Sequence, residues 1–224
     1  MAELYLVRHG QASFGSENYD QLSAVGERQA AWLGEYFASR DIGFDRIVVG
    51  TMRRHQQTLD AILSGLGRPV GHIEQHAGLN EYSFRALFDA LGERHYRLKA
   101  LAGGTKRDFY MGLKQVLRLW AEEKLEGPVP ETWSAFQQRV RAARQAIQQG
   151  PGKRVLAVTS GGAMAVMLQQ VLRAPAETAI ELNLQIRNSS FCRFFFNAET
   201  MHLAGFNSDP HLDHPERREF QTYA

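Results

Sequence analysis

Cysteine is the scarcest reactive residue in this chain of 224 residues, with Cys192 its single example. One thiol excludes an internal disulfide and any cysteine-based metal framework, and it suits a reducing compartment. An excess of either charge is also lacking, since 26 Lys and Arg stand against 24 Asp and Glu for a formal net charge of +2. Such a balance offers no broad field to nucleic acid or anionic lipid, so neither is expected as a partner and any anion chemistry must be local. Long hydrophobic runs are missing as well. Leu4-Tyr5-Leu6-Val7 is far shorter than the apolar core of a signal sequence, and no later stretch approaches a membrane span, so a cytoplasmic, non-membrane protein is expected. The 20 Gly and 7 Pro are ordinary globular usage, which excludes collagen-like and low-complexity chains. What remains is 44% apolar residues, enough to bury a sizeable core in one domain over residues 1–224.

The apolar residues fall into alternating patterns. Leu4 to Val7, Arg46 to Gly50 and Val155 to Val158 read as strands buried on both faces. Helical spacing follows each of them: Ala30, Leu33 and Phe37 after a Ser23 N-cap and before a stop at Gly43; Leu59, Ile62, Leu63 and Leu66; then Ala163, Val166, Met167, Gln170 and Val171. Another helix, with Phe136, Val140, Ala143 and Ile147 on one face, precedes the Val155 strand. This alternation predicts an α/β fold of three layers, a mostly parallel sheet with helices on both faces. Residues 84–125 depart from the rhythm, with helical patterns at Phe84 to Leu91 and Leu113 to Trp120 and no strand between them, so they read as a helical insertion. Ser190 to Phe196 and Thr200 to Phe206 read as a C-terminal hairpin, and the tail beyond it as surface coil.

In open α/β sheets ligands gather outside the carboxyl ends of the strands. Here those ends carry Arg8-His9-Gly10, Thr51-Met52-Arg53-Arg54 and Thr159-Ser160-Gly161-Gly162. Arginine forks, one histidine and a glycine-rich helix start suit a tetrahedral oxyanion, phosphate above all. Register separates the two adjacent arginines. Arg54 shares a face with Thr58 beside the buried Leu59 and Ile62, whereas Arg53 reads as a solvated position.

Leu6-Val7-Arg8-His9-Gly10 resembles the opening motif of the histidine phosphatase superfamily, which includes the cofactor-dependent phosphoglycerate mutases. The resemblance extends through Leu22 to Ala30, Arg54 with Gln57-Thr58, Leu79-Asn80-Glu81, and Pro130 to Val140. It implies a phosphomonoesterase acting on a small phosphorylated metabolite with neither metal nor organic cofactor. His9 would be the nucleophile that becomes phosphohistidine, and Glu81 the proton donor. Arg8, Arg54, Ser160 and Gly161 would bind phosphate.

Two positions depart from the family pattern. Ser160 stands where the family has a second histidine, and exchange of a charge-assisted donor for a neutral hydroxyl would cost about 2–4 kcal/mol, or roughly 30- to 1,000-fold in rate. That substitution keeps a second reading open, a pseudophosphatase that binds a phosphorylated ligand or protein without efficient turnover. A mutase reading is weaker and would draw on the insertion's Arg85, Arg94, Arg97, Lys99, Lys106 and Arg107. His55, His76, His95, His211 and His214 are the candidates to replace the missing imidazole, each read first as exposed or structural. His211 and His214, with Asp209 and Asp213, also have a loose metal-ligand spacing. The second departure is Gly15, where the family often has an Asn touching phosphate, with Asn18 or Ser13 as substitutes.

Overall fold

A computed structural model describes residues 1–13 and 20–223; Gly15 and Asn18 lie outside them. Within this range β1 (Ala2–Arg8), β2 (Arg46–Val49), β3 (His72–Gln75), β4 (Arg154–Thr159), β5 (Phe191–Phe196) and β6 (Met201–Ser208) form one mixed sheet in the order β3-β2-β4-β1-β5-β6. The first four strands of that order pair in parallel, while β5 runs antiparallel to β1 and β6 antiparallel to β5. β3 has no apolar run to announce it. It is a four-residue edge strand whose one large apolar side chain, Ile73, is 44% exposed, so its place is fixed by backbone pairing to β2.

Alternation along the strands divides the core in two. Tyr5, Val7, Ile47, Val49, Leu156 and Val158 face α1 (Ala24–Ser39) and α2 (Arg53–Leu66), which contribute Leu33, Phe37, Leu59 and Ile62. The other face, with Leu4, Leu6, Val155 and Ala157, packs on α6 (Trp133–Gln149) and α7 (Gly161–Leu172). Between β3 and α6 come α3 (Phe84–Asp89), α4 (Tyr96–Leu101) and α5 (Lys106–Ala121), uninterrupted by a strand, as the sequence predicts for residues 84–125. Leu87, Val116, Leu117 and Trp120 join the α6–α7 core, so these helices extend one existing layer. The sequence does not announce α8 (Ala176–Asn183), which buries only Ala179 and Ile180. No helix among the described residues is long and apolar enough to cross a membrane.

Local chemistry explains the boundaries. Ser23 caps α1 as expected, accepting from the Gly26 amide at 3.1 Å. The helix ends at Ser39, ahead of the expected Gly43, because Asp41 adopts a left-handed φ of 53° and turns the chain. α2 has no capping side chain at Met52, and Asp20 supplies the acceptor from a distance, taking the Arg53 amide at 3.0 Å. The hairpin turn between β5 and β6 is closed by Asn197 Oδ1, which accepts from the Thr200 amide at 2.7 Å.

The reading of the tail as surface coil does not hold. His211 and Leu212 are buried, and the Phe220 ring meets Trp32 edge-on at 5.0 Å. Gln29 Nε2 donates to Phe220 O and to Thr222 Oγ1, pinning the tail to α1. The Pro and Arg residues of the tail disguise these anchors, which are one backbone carbonyl and one threonine hydroxyl.

Helices α1 and α2 approach closely at Gly65, where a Cβ would fall 2.1 Å from Ala31 O on the other helix. Gly65→Ala is therefore expected to lower stability by about 1–3 kcal/mol, outweighing the ~1 kcal/mol that Ala gains in helix propensity. Urea unfolding measures this; an unchanged or higher midpoint would show that the contact can yield.

Candidate active site

Strand register places the three sequence motifs side by side. Arg8 pairs with Thr159 and Val49 with Val158, and the ladder continues one step past each strand through His9 N to Thr159 O and Gly50 N to Val158 O. His9, the start of α2 and Ser160 at the start of α7 thereby share one edge of the sheet.

His9 is 4% exposed, and its two ring nitrogens have different neighbours. Nδ1 lies 2.7 Å from Gly10 O, a carbonyl that can only accept, so Nδ1 carries the proton. Nε2 is then the lone-pair nitrogen, consistent with Arg54 Nε donating to it at 3.2 Å. Burial first, and then the cationic Arg54 and Arg8, hold the His9 pKa well below its ordinary value, so the ring is neutral near pH 7. Its backbone carbonyl accepts from the Ser189 amide at 3.2 Å and from Asn188 Nδ2 at 3.4 Å. Asn188 is in turn bonded to Thr222 of the tail, which therefore braces the ring from behind.

Arg54 is 2% exposed, whereas Arg53 is exposed, as register predicts. The Arg54 guanidinium pairs with Asp20 Oδ1 at 2.9 Å and reaches Ser160 Oγ at 3.5 Å through Nη2. Thr58 Oγ1 donates to the Arg54 carbonyl and accepts from the Gly10 amide, tying α2 to the loop after β1. Arg8 donates through Nη1 to Ile186 O, and its Nε would lie 3.5 Å from a Cβ at Gly161. Arg8 thus borders the start of α7.

Glu81 is fixed at both oxygens, Oε2 accepting from the Gly162 amide at 3.1 Å and Oε1 from the Tyr82 amide at 3.2 Å. Its loop is tied to β4 by Thr159 Oγ1 donating to Leu79 O at 2.7 Å, and to α6 by Arg139 Nη1 donating to Asn80 O at 2.7 Å. The amide of Gly162 is thus already committed to the Glu81 side chain.

Ser160 occupies the N-cap of α7 but makes no capping bond, because its Oγ lies 2.7 Å from His55 Nε2. His55 is fully buried, which excludes the exposed reading of its position and leaves the structural one, and its ring centroid is 5.7 Å from that of His9. Burial and Arg54 lower its pKa well below the ordinary value. The other candidate histidines lie elsewhere. His76 caps the turn at Gly78, His214 is exposed, and His211 bonds to Ser189 Oγ at 2.7 Å. Ser13 is committed to Leu22 O. Asp20 does not stand out in the sequence, whereas His55, in the first turn of α2 directly after the motif arginine, is among the candidate histidines there.

Known proteins resemble this chain over most of its length. The family model of the histidine phosphatase superfamily (branch 1) matches residues 4–209. A probable phosphoglycerate mutase GpmB of Klebsiella pneumoniae is 27% identical over 99% of this chain and all of its own length. Among solved structures, a putative alpha-ribazole-5'-P phosphatase from Escherichia coli superposes with a TM-score of 0.67 at 20% identity, covering 93% of this chain and 97% of the other. A phosphoserine phosphatase mutant from Entamoeba histolytica superposes with a TM-score of 0.63 at 16% identity, covering 95% and 100%. With the family model covering residues 4–209 of the chain, this protein belongs to the histidine phosphatase superfamily.

Proposed function

We propose that this protein is a phosphomonoesterase that passes the phosphoryl group of a small metabolite through His9 to water. The observation that carries the reading is the state of His9: neutral, with Nδ1–H held by Gly10 O and the Nε2 lone pair turned to Arg54. A neutral imidazole in a fixed tautomer is ready to attack phosphorus without first losing a proton. As the bond from Nε2 to phosphorus forms, the bond from phosphorus to the ester oxygen breaks, and Glu81 gives that oxygen a proton. Water then attacks phosphohistidine and returns a proton to Glu81, freeing His9 and inorganic phosphate.

Arg8 and Arg54 hold the equatorial oxygens, with Arg54 Nε exchanging His9 Nε2 for a phosphoryl oxygen when substrate enters. Ser160, in place of the family's second histidine, and the Gly161 amide complete the phosphate contacts. The relatives named for alpha-ribazole-5'-P and phosphoserine support a small phosphate ester as substrate. A mutase would need basic groups committed to a bisphosphate, but Arg85, Arg97 and Arg107 are exposed and Arg94 pairs with Glu126.

Incubation with a phosphomonoester panel is expected to give turnover and an acid-labile phosphate on His9, both abolished by His9→Ala. Arg54→Ala should lower kcat/KM by about 100- to 1,000-fold, the scale of one lost charge-stabilising donor. Absence of turnover and labelling across the panel, with vanadate still bound, would replace this reading by that of a pseudophosphatase.

The buried imidazoles also set a pH dependence of stability. His9, His55 and His211 have folded pKa values below the unfolded value of about 6.5, His211 reaching about 3 through burial and Arg217. Below pH 6.5 the unfolded chain therefore binds more protons, and stability falls with acidification by up to ~1.4 kcal/mol per pH unit for each histidine. Urea midpoints between pH 7.5 and 5, a window above the carboxylates, should drop steeply; a flat profile would mean that these rings protonate without unfolding.

A further inference from the structure

His55 has no part in the steps above, yet it is fully buried and its Nε2 lies 2.7 Å from Ser160 Oγ beside the proposed nucleophile. Resting on the reading of this edge as a phosphoryl pocket, we propose that His55 is a positioning residue that fixes Ser160 as a hydrogen-bond donor to the phosphoryl group.

The argument begins with the proton on His55. Burial and the adjacent Arg54 keep the ring neutral, so one nitrogen carries hydrogen and the other a lone pair. Nδ1 is buried and has no hydrogen-bond partner among the described residues. It is pressed against Gly50, where even a Cβ would fall 2.0 Å from Nδ1 and 2.7 Å from Cε1. A proton on Nδ1 would be a buried donor with nothing to receive it. On Nε2 the same proton has an acceptor, Ser160 Oγ.

The direction of the serine hydroxyl follows. Its oxygen accepts from His55 Nε2 and, over a longer 3.5 Å, from Arg54 Nη2, which occupies both lone pairs. It makes no N-cap bond to α7, where the Gly162 amide is taken by Glu81. The O–H is left to point away from both donors, into the space bordered by Arg54 and His9 Nε2. A phosphoryl oxygen held by Arg54 during transfer to His9 is the acceptor that fits there. His55 acts through Ser160 and does not touch the substrate, and Gly50 contributes by leaving room for the ring.

The test compares wild type with Ser160→Ala, His55→Leu, the double variant and His55→Gln, whose amide NH2 can reach close to the imidazole Nε2 position. The readouts are kcat and KM for p-nitrophenyl phosphate, the Kd of vanadate, and the thermal midpoint. Ser160→Ala and His55→Leu are each expected to lower kcat by about 10- to 100-fold, the scale of one neutral donor lost from a phosphoryl group, with KM changed less than about threefold. Vanadate should weaken in parallel. The double variant should fall no further than the worse single one, and His55→Gln should recover most of the loss.

Ser160→Ala at wild-type values for both kcat and vanadate, losses that multiply in the double variant, or His55→Gln as impaired as His55→Leu would each overturn the proposal. A lowered thermal midpoint in His55→Leu with no effect of Ser160→Ala would leave His55 as core packing, which also overturns it. If His55→Leu does not fold, Ser160→Ala and His55→Gln decide between the same outcomes. Should wild type neither turn over nor label on His9, the phosphatase reading fails, and the vanadate affinities still decide the role of His55.

Discussion

Burial of the Arg54 guanidinium is the constraint around which this end of the molecule is arranged. A side chain 2% exposed that keeps its charge needs partners on nearly every polar edge. Asp20, His9 and Ser160 each meet it, and each comes from a different segment of the chain. Asp20 does two things at once: it pairs with the guanidinium and accepts the first amides of α2, whose own N-cap residue, Met52, cannot. The start of α2, the loop after β1 and the start of α7 are therefore positioned by one charged group. Burial first, and then this charge, lower the pKa of both His9 and His55, so the ion that organises the site helps to keep both imidazoles neutral.

The neutrality of two histidines 5.7 Å apart has a mechanistic consequence. Were either ring protonated in the empty site, it would add to the repulsion from Arg8 and Arg54 within a small buried volume. Positive charge is instead confined to guanidiniums, which cannot lose it, while the imidazoles remain free to act as nucleophile and neutral donor in the proposed reaction. Basic character that is invisible in a net charge of +2 is thus concentrated at one edge of the sheet.

Much of this was legible in the sequence because the fold's main signals are local. The buried strands β1, β2 and β4 are continuous apolar runs, and α1, α2, α6 and α7 have apolar residues at helical spacing. Once those strands are parallel neighbours, the residues after them must converge, which is why the grouping of His9, Arg54 and Ser160 is legible in the sequence. Elements held mainly by backbone bonds or by few side chains were not legible: β3 has one apolar residue and α8 buries two. His55 is a candidate in the sequence, but what it bonds to is not legible there. Its role depends on the partner opposite, Ser160, 105 positions away, and no periodicity links the two.

The tail shows how far such non-local dependence reaches. Residues that read as coil fasten Asn188 through Thr222, and Asn188 with Ser189 takes the carbonyl of His9. Ser189 holds a left-handed φ of 57°, a conformation that a serine adopts at a cost and that His211 helps to hold by bonding its hydroxyl. The strain is placed where it is useful, because only that turn brings the Ser189 amide to the His9 carbonyl. With the backbone gripped there and Nδ1 gripped by Gly10 O, His9 has no freedom to rotate Nε2 away from Arg54. A ring held from both ends at the edge of a rigid sheet needs little further ordering to act as the proposed nucleophile. That preorganisation is what in-line transfer of a phosphoryl group to one fixed nitrogen would require of the protein.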